Sequence, residues 1–185
     1  MIRKIITLLF GFCLITNTAF AETINFNEET SRINYTFSYL NVPVKKKFLP
    51  ATGHLIIEEK NQDLIFLKGL DLDVKFTSKS KVFKKAIDYD KYPNFRFWTS
   101  LENPIPLISN KAIELEGYLS FHGVTEKIKI ELQNKKNEDG IALIGFFNIK
   151  MTDFGIKPPR VFFIVLDDVI KAKVELGTDS TSSTN

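Results

Sequence analysis

Apolar and polar residues alternate along most of this chain, the period of two expected where one face of a strand is buried and the other is wet. Ile33, Tyr35, Phe37 and Tyr39 alternate with Asn34, Thr36 and Ser38, and Leu70, Leu72, Val74 and Phe76 with Asp71, Asp73 and Lys75. Ile113, Leu115, Leu119 and Phe121 share one parity against Glu114, Glu116 and Ser120. The pattern returns in Ile128, Ile130 and Leu132, and again in Ile170, Ala172, Val174 and Leu176. These runs predict five strands. Weaker runs over 55–59, 63–67, 94–101 and 141–151 predict more, and the last is apolar on both parities through Phe146 and Phe147. Turn signals separate them: Asn61-Gln62-Asp63, Pro104-Ile105-Pro106, the polar stretch from Asn134 to Gly140, and Pro158-Pro159. One segment departs from the pattern. From Ser80 to Asp88, the residues Val82, Phe83, Ala86 and Ile87 fall on one helical face among lysines, which predicts a short helix capped by Ser80.

Eight or nine mostly antiparallel strands leave a sandwich or a closed barrel as the natural architectures. The N-terminus is of another kind. Basic Arg3 and Lys4 precede an apolar run from Ile5 to Ile15, and Ala19-Phe20-Ala21 closes it with a small-x-small pattern, so 1–21 read as a signal peptide and the product as periplasmic or secreted. The barrel domain is then expected over 22–176 and a disordered Ser/Thr-rich tail over 177–185. Loss of the leader takes two from the formal net charge of +3, and so even a balance argues against a nucleic-acid binder. The only cysteine, Cys13, also goes with the leader, which leaves no disulfide and no thiol chemistry. No later apolar run is long enough to span a membrane as a helix. Phe10, Phe12 and Phe20 are lost as well, yet the rest of the 17 phenylalanines remain beside five tyrosines and one tryptophan. Aromatic walls suit a barrel that holds a long apolar molecule, and they suit an aromatic-rich packed core equally.

Several segments taken together resemble the YceI-like family of bacterial secreted proteins. Gly117-Tyr118-Leu119-Ser120-Phe121-His122-Gly123-Val124-Thr125 is similar to that family's G-x-L-x-hydrophobic-x-G-V-T hairpin, and Asp88 through Phe97 to its acidic-x-x-x-Tyr-Pro-x-hydrophobic-x-Phe run into a strand. Asp153-Phe154-Gly155-Ile156 and Asp167-Asp168-Val169 follow in the family's order, while Ser31–Phe37 and Phe48–Gly53 match its first hairpin more loosely. One position departs: the basic residue the family often carries directly before its Ser/Thr-Asp-hydrophobic-Gly motif is Met151 here, with Lys150 one place earlier. The resemblance implies an all-β fold, a single antiparallel lipocalin-like barrel of about eight strands with one short helix. It also implies a non-catalytic binder or carrier of a polyisoprenoid or other long-chain amphiphile.

Strand parity supplies the candidate ligand-binding residues: Tyr35, Phe37, Leu72, Val74, Phe76, Phe95, Phe97, Leu115, Leu119, Phe121, Phe147 and Val174, with Leu176 on the same face. Phe83 joins them if the short helix covers the open end. Lys79, Lys81, Lys84 and Lys85, or Lys45, Lys46 and Lys47, are placed to attract an anionic head group or simply form a solvated basic face. Catalysis has no positive feature. His54 and His122 lack metal-ligand spacing, His122 reads as a turn histidine, and the adjacent Asp167 and Asp168 suit a turn or edge role better than a shared proton. No metal and no cofactor is called for, and the expected partner is an isoprenoid or fatty-acid-like small molecule, with a homodimer left open. The rival is a structural or protein-interaction module with a packed interior, working through an exposed edge or loop such as Asn103–Asn110.

Overall fold

The computed structural model describes residues 20–40, 42–61, 64–77, 81–135 and 142–177. Eleven strands run as β1 (Phe20–Phe26), β2 (Arg32–Tyr39), β3 (Val42–Asn61), β4 (Leu64–Lys75), β5 (Asn94–Pro106), β6 (Ala112–Phe121), β7 (Val124–Asn134), β8 (Ala142–Lys150), β9 (Arg160–Val161), β10 (Ile164–Val165) and β11 (Val169–Gly177). A helix, α1, spans Lys81–Ala86, and a single 3-10 turn spans Met151–Phe154. No helix among the described residues is long and apolar enough to cross a membrane.

The sheet closes on itself because β3 serves two partners in turn. Its first part pairs antiparallel with β2, from Tyr39↔Val42 to Arg32↔Pro50, and its second part with β4, from Ala51↔Val74 to Asn61↔Leu64. The remaining neighbours run β2-β11-β8-β7-β6-β5-β4, which completes an eight-strand antiparallel barrel. β1 lies along the same edge of β3 as β2, pairing Phe26↔Gly53 through Phe20↔Glu59. A turn at Asn27, whose side-chain oxygen accepts from the Glu29 and Thr30 amides, separates the two collinear strands. The registers sort the connections between the ends of the barrel. The β2–β3 turn, α1, the β6–β7 turn, the 3-10 turn and the β9–β10 hairpin share one end, here called the helix end. The β3–β4, β5–β6 and β7–β8 connections share the other.

Side-chain alternation does what the period of two predicts: Ile33, Tyr35 and Phe37, Leu72 and Val74, Leu115, Leu119 and Phe121, and Ile170, Ala172, Val174 and Leu176 are all buried. The five clear strands are present. Four differences are instructive. β4 is one strand where two were expected, because a register shift between Leu67 and Gly69 absorbs the break at Lys68-Gly69. The first half of β3 and all of β1 were not among the strands read from alternation. Pro104 and Pro106 do not turn the chain but lie in β5, where only β4 pairs, since the β5–β6 ladder is confined to Arg96–Trp98; an edge accepts a residue that has no amide to donate. Phe146 is 42% exposed, so the second apolar face of β8 is left open. The leader residues 1–19, Asn41, Gln62 and Asp63, the Ser80 cap with Lys79, the 136–141 loop and the tail from 178 lie outside the described residues.

Phe97 packs closely onto β6. Phe97 is 0% exposed, and a Cβ on Gly117 would sit 2.3 Å from its Cζ, so only glycine lets the ring lie on the β6 backbone. Phe97→Ala is expected to lose about 3–5 kcal/mol in urea unfolding, the cost of a cavity in a close-packed core. A loss under about 1 kcal/mol would mean that the ring faces a void.

Candidate functional site

The interior contains a small cavity of about 20 Å³, lined by Ile33 and Tyr35 of β2, Phe76 after β4, Phe95 of β5, Phe121 of β6, Ile149 of β8, and Ile170 and Ala172 of β11. That is room for about one water molecule, far below the ~300–1,000 Å³ of a typical ligand pocket. Its origin is local. Ala172 stands opposite Tyr35 in the β2–β11 register, and a single methyl on that side leaves the space a larger residue would fill. The rings around it form a continuous cluster, Phe76–Phe95 at 5.5 Å, Phe76–Phe121 at 5.5 Å and Phe95–Phe121 at 5.9 Å between centroids, with Tyr35 edge-on to Phe37 at 5.6 Å. Tilted pairs at such spacing are the favourable aromatic geometry. Burial disfavours the charged phenolate and pushes the Tyr35 hydroxyl well above the ordinary range for a phenol.

The segments that carry the sequence motifs meet at the helix end, directly under this cluster. His122 and Gly123 both adopt left-handed backbone, φ 53° and 77°, as a two-residue type I′ hairpin turn requires. A Cβ on Gly123 would lie 2.7 Å from the Tyr92 hydroxyl oxygen, so glycine there also admits the Tyr92 ring. The His122 ring packs on Tyr92 at 4.9 Å, and its Nδ1 lies 3.0 Å from the Phe154 carbonyl oxygen. Phe154 is buried against Phe121 at 5.7 Å. The two aspartates brace different loops. Asp168 accepts from the Thr152 amide at 2.9 Å and from its hydroxyl at 2.6 Å, while Asp167 accepts from the Leu40 amide at 3.0 Å. Both aspartates and His122 thus hold turns, as the sequence led us to expect. Met151, in place of the family's basic residue, is buried and needs no polar partner.

Of the thirteen candidates, Tyr35, Phe76, Phe95 and Phe121 line the cavity. Phe37, Leu72, Val74, Phe97, Leu115, Leu119, Phe147 and Val174 are buried in the same interior but lie away from it. The Phe83 side chain lies outside the described residues, as do those of Lys45, Lys46 and Lys47. Lys81 and Lys85 are exposed, and Lys84 lies 4.4 Å over the Tyr89 ring. Ile33, Ile149, Ile170 and Ala172 line the cavity without having been singled out. Three of them share the parity of Tyr35 and Val174 in strands the sequence did mark, and a search for large aromatics passes over them. Among the described residues no group of three or more His, Cys, Asp or Glu could hold a metal ion.

A family model described as YceI-like domain matches residues 24–180. The fold is similar to that of BcnA from Burkholderia cenocepacia, with a TM-score of 0.56 and 14% identity over 82% of this chain and 98% of that one. It is also similar to a polyisoprenoid binding domain from Saccharophagus degradans implicated in plant cell wall breakdown, with a TM-score of 0.52 and 10% identity over 83% of this chain and 95% of that one. No curated protein matches.

The raised Tyr35 phenol gives a test of the cavity wall. A phenol whose pKa is higher folded than unfolded stabilises the fold fully below its ordinary value of 10.0 and loses that contribution as pH rises through the raised value. In an ultraviolet titration of the native protein, one of the five tyrosines should stay protonated after the others ionise, and Tyr35→Phe should remove that late phase. A late phase unaffected by Tyr35→Phe would place the buried phenol elsewhere.

Proposed function

The chain belongs to the YceI-like family, and from that premise we propose that it binds and carries a long apolar or isoprenoid lipid inside the barrel, without catalysis. The observation that carries the reading is a wholly apolar cavity at the centre of an aromatic cluster in a closed barrel. The polyisoprenoid-binding neighbour supports the same class of ligand. The drive would be burial of apolar surface, worth about 25 cal/mol per Å². Space is made by displacement: a chain entering beside Ala172 would have to swing the Phe76, Phe95 and Phe121 rings aside. The wall is loosest where β5 pairs with β6 over three residues and β7 with β8 over only Glu131–Asn134, which leaves seams through which it can widen.

The small volume of the cavity also favours the rival reading, a packed barrel that works as an interaction module. One experiment separates them. Native mass spectrometry of the exported protein should show a lipid at one copy per chain, releasable by organic solvent. Ala172→Leu, which fills the cavity, should abolish that cargo at a stability change within about 1–3 kcal/mol. Wild-type protein that carries no lipid and gains no thermal stability from long-chain isoprenoids would establish the packed module.

The site of action we propose is the periplasm or the exterior, after cleavage at Ala21. Phe20 and Ala21 are the outermost residues of β1, opposite Glu59 and Glu58, so the cut would spare the pairings from Glu22 to Phe26. The intact mass from the same spectra should place Glu22 first, and any other start would refute the cleavage site.

A further inference from the structure

Two loop tips at the helix end carry apolar side chains into solvent. In the β9–β10 hairpin, Phe162 and Phe163 are 93% and 92% exposed, and at the β2–β3 turn Leu40 and Val42 are 72% and 61% exposed. Asp167, two residues beyond β10, ties the base of the hairpin to the β2–β3 turn, its amide donating to the Ser38 carbonyl at 2.8 Å and its side chain accepting from the Leu40 amide. The backbone makes the choice of residues stand out. Leu40 and Phe162 adopt left-handed φ values of 50° and 57°, a conformation in which glycine or asparagine is favoured and a bulky side chain is strained. Folding alone gives no reason to put leucine and phenylalanine there. The hairpin stretch itself is cationic, set between Asp153 on one side and Asp167 and Asp168 on the other. Between Phe154 and Leu166 the chain has Lys157 and Arg160 and no acidic residue, and both cations are exposed.

We propose that this end of the barrel docks on an anionic lipid bilayer, with Phe162, Phe163, Leu40 and Val42 entering the interface and Lys157 and Arg160 meeting the head groups. Aromatic side chains favour the boundary between head groups and acyl chains, and apolar tips flanked by cations give the two signals that reversible peripheral binding needs. The cavity-lining Phe76 and Phe121 sit at the same end, just inside α1 and the β6–β7 turn, so docking would bring the aromatic cluster toward the membrane from which a lipid is taken. This deepens the carrier reading and rests on it for its purpose, whereas the assay reads docking alone.

The test is flotation of the purified exported protein with vesicles of phosphatidylethanolamine and phosphatidylglycerol, and separately of phosphatidylcholine. Wild type should float with the anionic vesicles, and the double variant Phe162→Ser, Phe163→Ser should bind them about tenfold or more weakly. Its unfolding temperature should not change, since both rings stand clear of the core. Lys157→Gln with Arg160→Gln should remove the preference for anionic over neutral vesicles, and Ile108→Ser, an exposed residue at the opposite end, should change nothing. Ala172→Leu should float like wild type even if it carries no lipid, which keeps failure of docking distinct from failure of the cavity reading. Wild type that does not float, or a double serine variant that floats equally, overturns the proposal. So does a wild-type dimer that the serine pair dissolves without any vesicle binding, since the tips would then be an interface between two copies.

Discussion

Everything inside this molecule depends on β3 being long enough to be paired twice. Had it stopped at Pro50, β4 would have had no partner on that side, and the sheet would have stayed open with unsatisfied amides and carbonyls along two edges. By running on through Ala51 to Asn61, it hands its hydrogen bonds from β2 to β4 and so joins the two ends of the strand run. One face of each of the eight barrel strands then looks inward, away from solvent. The alternation that in an open sheet would need a second layer is satisfied by the barrel itself.

Closure alone would give a solid core, and over most of the length it does: Phe97 lies on Gly117, and Leu72, Leu115, Leu119 and Leu132 are fully enclosed. The helix end differs because two kinds of residue meet there. Large rings from β4, β5 and β6 cannot tile the space without gaps, and Ala172 on β11 gives nothing back across from Tyr35. Beneath them the end is sealed by turns that hold one another, His122 against Tyr92 and Phe154, Asp168 against Thr152. The fold therefore places this poorly filled region beside the turns that close the end and beneath the two apolar tips.

Much of this was legible in the sequence because a half-buried strand leaves a period of two, and most of the inward set read from parity is buried, with Tyr39 exposed and Ile113 and Ile128 partly so. What escaped reading had physical causes. β1 hides because Phe20 and Ala21 also satisfy a peptidase pattern and the alternation after them, Ile24 and Phe26 against Thr23 and Asn25, spans only a few residues. The first half of β3 is Val-Pro-Val followed by three lysines, polar at successive positions, and its pairing is imposed by β2. Pro104 and Pro106 mark turns in most contexts, and only the local absence of β6 at that edge lets a strand carry them. The candidate site was half legible. Rings announce themselves, whereas the cavity is defined by a missing side chain, and nothing about Ala172 in one dimension tells that Tyr35 will stand opposite.

The central claim is that a barrel with room for one water opens to admit a lipid chain among its rings. Isotope-edited nuclear Overhauser spectroscopy of labelled protein with an unlabelled long-chain isoprenoid tests it most directly. The account predicts contacts from the chain methyl groups to the Phe76, Phe95 and Phe121 ring protons and to the Ala172 methyl. A chain whose contacts fall only on outward-facing residues such as Phe146 or Tyr118, with those rings unmoved, would contradict it.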